Sequence, residues 1–342
     1  MSTFIASIIV FGLLIFFHEL GHFAVAKRVG MKVHEFSLGF GPKLIGVTKG
    51  ETIYNLRAFP LGGFVRVAGM DPEEDVEKGR SYQDKTILQR MAFIVAGPLM
   101  NFVLAAALLA FIFMAQGMPT PTTQIGELIQ GQPAQEAGFQ PGDRIVAIEG
   151  QRITQWEEVT TLINQNPGRE ISISVVRDGR ELVIPVVPTA DEGGLGRIGI
   201  YPGSEMQRMG PVAAVVGGVE YTVRVTVLIV EFIAKMIIGQ APPDLGGPVR
   251  IVSEIGRSVD LGVFYLLQLT AFLSINLGLF NLFPIPALDG SRLLFLSFEA
   301  VRGRPVDPLK ENFIHMVGFG LILLLIVFIT YNDVMQLLMG AH

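Results

Sequence analysis

One short run of residues has the types and spacing needed to bind a metal ion and activate water. His18 and His22 stand on either side of Glu19 in the run HELGH at residues 18–22. If this run is helical, the two histidines lie about 40° apart around the axis, and both imidazoles can reach one Zn²⁺ ion. Glu19 is then a candidate for the general base. The pattern indicates the chemistry of a zinc hydrolase.

A catalytic zinc ion commonly has three protein ligands and one water molecule, so the run needs a partner elsewhere in the chain. The sequence has no cysteine, which leaves histidine and carboxylate side chains. Asp289, after two prolines at the end of an apolar segment, is one candidate, although an aspartate there can also simply cap a turn. His315 is the rival candidate. His34 and His342 are expected in a loop and in the tail.

The surroundings of the HELGH run are those of a membrane protein. Half of the 342 residues are hydrophobic and only 17% are charged. Four apolar segments are long enough to span a bilayer, which needs about 20 residues: residues 3–26, 91–115, 263–283 and 313–331. A carboxylate at the centre of a bilayer costs about 2.5 kcal/mol or more, so the ionisable groups of the first segment call for a functional explanation.

The remaining apolar segment, residues 212–238, carries two oppositely charged pairs and is predicted to be an amphipathic helix at the membrane interface. Lysine and arginine are concentrated in residues 27–90 and follow the third span, which places both regions in the cytoplasm. Four spans then put both chain ends and residues 117–260 outside.

Two parts of the chain have strand-like patterns between glycine and proline turns. Residues 31–68 are predicted to form a membrane-associated β segment, and residues 120–190 a small soluble domain. The resulting division is a membrane core in two halves, the inserted domain and a linker that carries the amphipathic helix. Their bounds are 1–117 and 263–342, 118–192 and 193–262.

Four motifs, in this order, give the chain a family resemblance: HELGH at 18–22, SLGFGP at 37–42, GPLMNF at 97–102 and NLFPIPALDG at 281–290. The chain resembles the site-2 proteases, zinc-dependent intramembrane proteases, of the bacterial type with a single PDZ domain. The resemblance implies a polytopic α-helical membrane protein with four transmembrane helices and an inserted extracytoplasmic PDZ-like domain.

The resemblance also implies roles for individual residues. His18, His22 and Asp289 would bind Zn²⁺, and Glu19 would activate water. Asn281 and Asn101 would position the substrate or the core helices. In the β segment, residues 54–67, with Tyr54 and Phe64, are a candidate surface for an unwound substrate.

The partners that follow are the lipid bilayer, single-pass membrane proteins such as anti-sigma factors or remnant signal peptides, and a peptide or C-terminus at the PDZ-like domain. The expected location is a bacterial cell membrane, with the active site towards the cytoplasm. The mild net charge of −5 suggests no nucleic-acid partner.

Two other functions fit part of the pattern. A zinc transporter would also place histidine and aspartate in a membrane, but it predicts polar residues along several spans. A scaffold without catalytic activity would bind membrane peptides, but it gives no reason to keep Glu19 between both histidines. The protease is therefore the preferred hypothesis.

Overall fold

The computed structural model describes residues 2–70, 78–191, 193–241 and 246–339. The chain forms two compact units, Met1–Ile112 with Pro211–His342, and Phe113–Gly210. The elements of the first unit are α1 (Thr3–Arg28), β1 (Val33–Lys49), β2 (Thr52–Val67), α2 (Ile87–Ala115), α5 (Pro211–Ile237), α6 (Pro248–Leu261), α7 (Val263–Asn281), α8 (Asp289–Arg302) and α9 (Pro308–Met339).

Five of the described helices are long and apolar enough to cross a membrane, namely α1, α2, α5, α7 and α9 over Thr3–Arg28, Ile87–Ala115, Pro211–Ile237, Val263–Asn281 and Leu309–Gln336. The predicted count of four spans is therefore not confirmed, because α5 also meets the criterion despite its charged residues. A core of buried aliphatic side chains joins α1, α2, α6 and α7: Ala6, Val10, Leu14, Leu104, Ile255 and Leu266.

Helix α6 connects the beginning of α1 with the end of α9. The carboxylate of Asp333 in α9 accepts hydrogen bonds from the N–H groups of Gly247 (3.3 Å) and Arg250 (3.1 Å) at the start of α6, where N–H groups lack a partner within the helix itself. Nine residues after Gly247, a Cβ added to Gly256 would lie 3.1 Å from the side chain of Thr3. Both helix ends therefore lie against α6.

Strands β1 and β2 form a folded-back sheet beside α1. Residues 35–38 pair with residues 63–66 on one side and with residues 53–56 on the other. Residues 63–66 have strand partners on one side only in the described part of the chain, so they form an edge of the sheet. The backbone groups on the open side of this edge are available to another strand.

A buried carboxylate holds this sheet together. Oε1 of Glu35 accepts hydrogen bonds from Ser37 (2.5 Å), Asn55 (2.6 Å) and Arg57 (2.5 Å). Burial alone would raise the pKa of Glu35, but these hydrogen bonds hold that pKa at about 2. The guanidinium of Arg57 also lies 5.3 Å from the ring centroid of Phe64. The cluster therefore links the centre of the sheet to its edge.

The second unit is a β sheet with two short helices. Its elements are β3 (Met118–Leu128), α3 (Pro133–Glu136), β4 (Arg144–Ile148), β5 (Gln151–Arg152), α4 (Trp156–Asn164), β6 (Ile171–Arg177), β7 (Arg180–Val186), β8 (Thr189–Ala190), β9 (Gly196–Arg197) and β10 (Ile200–Gln207). The strand order is β10-β3-β4-β6-β7, with β5 paired to β4. Residues assigned from sequence to a linker thus contribute β10, because they pair along β3.

An ion pair inside this unit provides a test of its stability. Asp143 is 1% exposed and accepts hydrogen bonds from Arg177 (2.6 and 2.7 Å) and from the Gln140 N–H. Burial would raise the pKa of Asp143, but these partners hold it below its usual value.

We expect Arg177→Met to lower the free energy of unfolding of this unit, because it removes the guanidinium that donates two hydrogen bonds to the Asp143 carboxylate. Trp156 is the only tryptophan and packs against the core of this unit, so its fluorescence reports urea unfolding. Since the folded pKa of Asp143 is depressed, its contribution is present above pH ~4 and is lost as the pH falls through the folded value. Exposed Arg180→Met is the control, and equal losses in both variants would contradict the assignment.

Candidate metal centre

Helix α1 presents both histidines of the HELGH run to one point. Successive turns bring His18 Nε2 and His22 Nε2 to 3.2 Å of each other. Ser2 caps the start of the helix, because its side chain accepts the Ile5 N–H, and the helix ends with Lys27 and Arg28, which suit the negative end of the helix dipole. The run lies well inside this helix, where its backbone is fixed.

Asp289, the first residue of α8, completes the cluster. Its Oδ2 lies 3.1 Å from His18 Nε2 and 3.4 Å from His22 Nε2. These three residues are the one group of three or more histidine, aspartate or glutamate side chains in the described ranges whose ligand atoms lie within 4.8 Å of one another. Oδ2 is buried and accepts no hydrogen bond there.

The spacing of the three ligand atoms fits a zinc ion. Zinc bonds to nitrogen and oxygen are about 2.0–2.2 Å long, and a tetrahedron with such bonds has edges of about 3.3–3.6 Å. The observed separation of 3.4 Å lies within this range, and those of 3.1 and 3.2 Å lie just below it. A buried carboxylate oxygen without a donor is also well suited to a cation.

Each imidazole has a hydrogen-bonding partner at Nδ1, on the side of the ring away from the ligand cluster. His22 Nδ1 donates to the Phe93 carbonyl at 2.8 Å. His18 Nδ1 lies 3.2 Å from Asn101 Nδ2, while Asn101 Oδ1 is buried without a partner. Zinc on His18 Nε2 would place the ring proton on Nδ1, which requires the Asn101 amide to turn by 180° and present Oδ1 to it. Such partners orient a histidine ligand.

Glu19 faces a cavity of about 500 Å³ together with His18, His22 and Asp289. Only 9% of Glu19 is exposed. Strand β2 passes close to it, since a Cβ added to Gly63 would lie 2.9 Å from Glu19 Cγ. The carboxylate is therefore next to both the ligand cluster and the edge strand.

Only some of the other predicted site residues line the cavity or contact the ligand cluster. Phe64 lines the cavity, whereas Tyr54 packs against Phe23 and Phe36 and is not among the lining residues. Asn101 contacts His18, and Asn281 is the last residue of α7 and is not among the lining residues. His34 lies in β1, and His342 lies outside the described residues.

His315 lines the cavity but is not arranged as a ligand. Its Nδ1 accepts the N–H of Ala287 at 3.1 Å, so the proton of the neutral imidazole is on Nε2. A protonated nitrogen cannot coordinate zinc. Arg292 also lines the cavity and was missed in the sequence, although its position three residues after Asp289 is a usable signal.

Helix packing leaves no spare room beside the histidines. A Cβ on Gly97 of α2 would lie 2.2 Å from His22 Nε2, and one on Gly21 would lie 2.1 Å from the Ala96 carbonyl oxygen. The glycines therefore allow the two helix backbones to approach each other at the ligand cluster.

Comparisons with known proteins agree over nearly the whole chain. The model of Peptidase family M50 matches residues 6–325. The "Zinc metalloprotease RasP" of Oceanobacillus iheyensis is 35% identical, and the alignment covers 98% of this chain and 100% of that protein. The "Regulator of sigma-W protease RasP" of Bacillus subtilis is also 35% identical, with 98% and 99% coverage.

Among solved structures, a PDZ domain of an SdrC-like protein from Listeria monocytogenes is 20% identical and covers 24% of this chain and 87% of its own, with a TM-score of 0.22. The corresponding domain from Listeria innocua is 23% identical and covers 26% and 99%, with a TM-score of 0.23. At these TM-scores the likenesses carry no weight for the fold.

We expect Gly97→Ala to weaken zinc binding at least tenfold, because the added methyl group displaces the His22 imidazole from its place in the cluster. Zinc affinity would be measured by competition with a chelator on the purified chain. Gly12→Ala in α1 is the control, since an added Cβ there meets nothing within 4 Å. Zinc binding by Gly97→Ala at the affinity of the parent would contradict this account.

Proposed function

The chain belongs to peptidase family M50 and is a zinc metalloprotease of the site-2 type, and we propose that His18, His22 and Asp289 hold its zinc ion while Glu19 is the general base. The observation that carries the proposal is the separation of 3.1–3.4 Å between three ligand atoms from two helices. The proposed activity is hydrolysis of peptide bonds in or near transmembrane segments.

A zinc ion held by His18, His22 and Asp289 would lower the pKa of a water molecule and polarise the scissile carbonyl. Glu19 takes a proton from the attacking water molecule, and the water oxygen bonds to the carbonyl carbon. Glu19 then gives that proton to the amine nitrogen as the carbon–nitrogen bond breaks. The asparagine and the Phe93 carbonyl behind the imidazoles keep both ligand nitrogens directed at the metal.

The edge strand at residues 63–66 supports a way of presenting the substrate. A helical substrate hides its carbonyl groups, so the scissile segment must be extended. An extended segment that pairs with residues 63–66 would lie beside Glu19, because Gly63 contacts that side chain. Phe64, which lines the cavity, would contact a substrate side chain there.

Contacts of α6 support four membrane crossings. About 14 Å of helix separates Gly247, which contacts Asp333, from Gly256, which contacts Thr3. This distance is much less than the hydrocarbon thickness of about 30 Å, so α1 starts on the side where α9 ends. An even number of crossings follows. If α1 and α2 both cross, α2 ends on the side where α1 starts. Helix α6 lies on that side, and α7 begins directly after α6. Helix α5 then joins two points on one side, and α1, α2, α7 and α9 are the proposed crossings.

This topology, with the lysine and arginine distribution, supports an active site towards the cytoplasm of a bacterial cell and a second unit outside. The second unit is proposed to be PDZ-like and to bind a peptide or C-terminus. A relative is named as the regulator of sigma-W protease, which supports single-pass anti-sigma factors as substrates. Remnant signal peptides are the other proposed substrates.

The first test compares the parent with Glu19→Gln on a tagged single-pass substrate. We expect cleavage to fall at least 10²-fold while about one zinc ion per chain remains, because the variant keeps the three proposed ligands and loses the base. Metal content and cleavage would be measured on the same preparations. Cleavage at the parental rate in the variant would refute the role of Glu19, and a parent without zinc would refute the ligand set.

A second test concerns the edge strand. We expect Phe64→Ala to raise KM about tenfold with little change in kcat, because loss of one buried aromatic contact costs about 1.4 kcal/mol or more of substrate binding. Phe59→Ala on the same strand is the control, since Phe59 is 59% exposed and is not among the cavity-lining residues. An equal change in both variants would argue against pairing at residues 63–66.

A further inference from the structure

The turn that leads into α8 has an unusual backbone. The N–H of Leu288 bonds to the carbonyl of Ile285 at 3.1 Å, which closes a four-residue turn with Pro286 and Ala287 at its centre. Ala287 has φ of +76°. A type II turn commonly has proline as its second residue and a positive φ at its third residue, where glycine or asparagine is usual. An alanine in this region is strained.

Helix α9 holds this turn from outside. The N–H of Ala287 has no partner inside a type II turn, and here it donates to His315 Nδ1 at 3.1 Å. One helical turn further along, a Cβ on Gly318 would lie 2.2 Å from Pro286 Cβ. The face of α9 that contains both residues therefore lies directly on the turn.

We propose that His315 is a positioning residue for Asp289. Its imidazole stabilises the strained conformation of Ala287, and this conformation directs the chain so that α8 starts with the Asp289 carboxylate beside the two histidines. This inference rests on the proposed function, in which Asp289 is a zinc ligand. Without the imidazole acceptor, Ala287 can relax to a negative φ, which turns over the peptide bond between Pro286 and Ala287 and changes the turn that leads into Asp289.

The experiment measures zinc affinity of the full-length purified chain by competition with a chelator. We expect His315→Leu to bind zinc at least tenfold more weakly than the parent. His315→Asn is the matched control, because its Oδ1 stands close to the place of the imidazole Nδ1 and can accept the same N–H; its affinity should stay within about threefold of the parent. Helix content by circular dichroism would be compared for every variant.

The decisive variant combines His315→Leu with Ala287→Gly. Glycine adopts a positive φ without strain, so the turn no longer needs the imidazole, and zinc affinity should return to within about threefold of the parent. An affinity of the double variant as low as that of His315→Leu would overturn the proposal, as would parental affinity in His315→Leu itself.

Asp289→Asn separates this inference from the proposed function. Loss of a ligand should weaken zinc binding far more than His315→Leu does. If Asp289→Asn binds zinc as the parent does, the ligand assignment fails, and the positioning role fails with it. If Asp289→Asn loses zinc and Ala287→Gly gives no rescue, the ligand assignment stands and the positioning role alone fails.

Discussion

The structure depends on the cost of holding ionisable groups in an apolar layer. His18, His22 and Glu19 lie in the C-terminal half of an apolar helix, and Asp289 is brought to them from another part of the chain. Isolated charge is expensive in such surroundings, whereas a divalent cation shared by three ligands offsets that cost. The need to bring a second carboxylate to α1 explains why the chain breaks after α7, turns at its prolines and starts α8 at Asp289.

Backbone contact, more than side-chain reach, sets the geometry around these groups. Gly21 and Gly97 bring α1 and α2 together at the histidines, and Gly278 of α7 would place a Cβ 2.9 Å from the Pro98 carbonyl oxygen of α2. Helices that meet through glycine have few alternative positions, because any shift produces backbone overlap. The ligand atoms are thereby held on rigid elements, which is what a metal site requires.

The sequence predicted these features unequally, for physical reasons. The HELGH pair is a local signal, since spacing within one helix determines which face the residues share. Asp289 and His315 both remained candidates, because only a hydrogen bond formed 28 residues apart shows that His315 Nδ1 is occupied. The strand β10 was read as linker, because its proline and glycine hide a pairing that depends on β3. Hydropathy alone did not decide how α5 meets the membrane.

The edge at residues 63–66 has a further consequence for specificity. Pairing through main-chain groups recognises any extended segment almost regardless of its side chains. Discrimination would then depend on the free energy that a transmembrane helix needs to lose its internal hydrogen bonds next to the cleaved bond. This free energy is smallest for segments interrupted by glycine, proline or serine and largest for uninterrupted leucine-rich helices. Such an enzyme would sort membrane proteins by the local stability of their helices and would leave well-formed anchors intact.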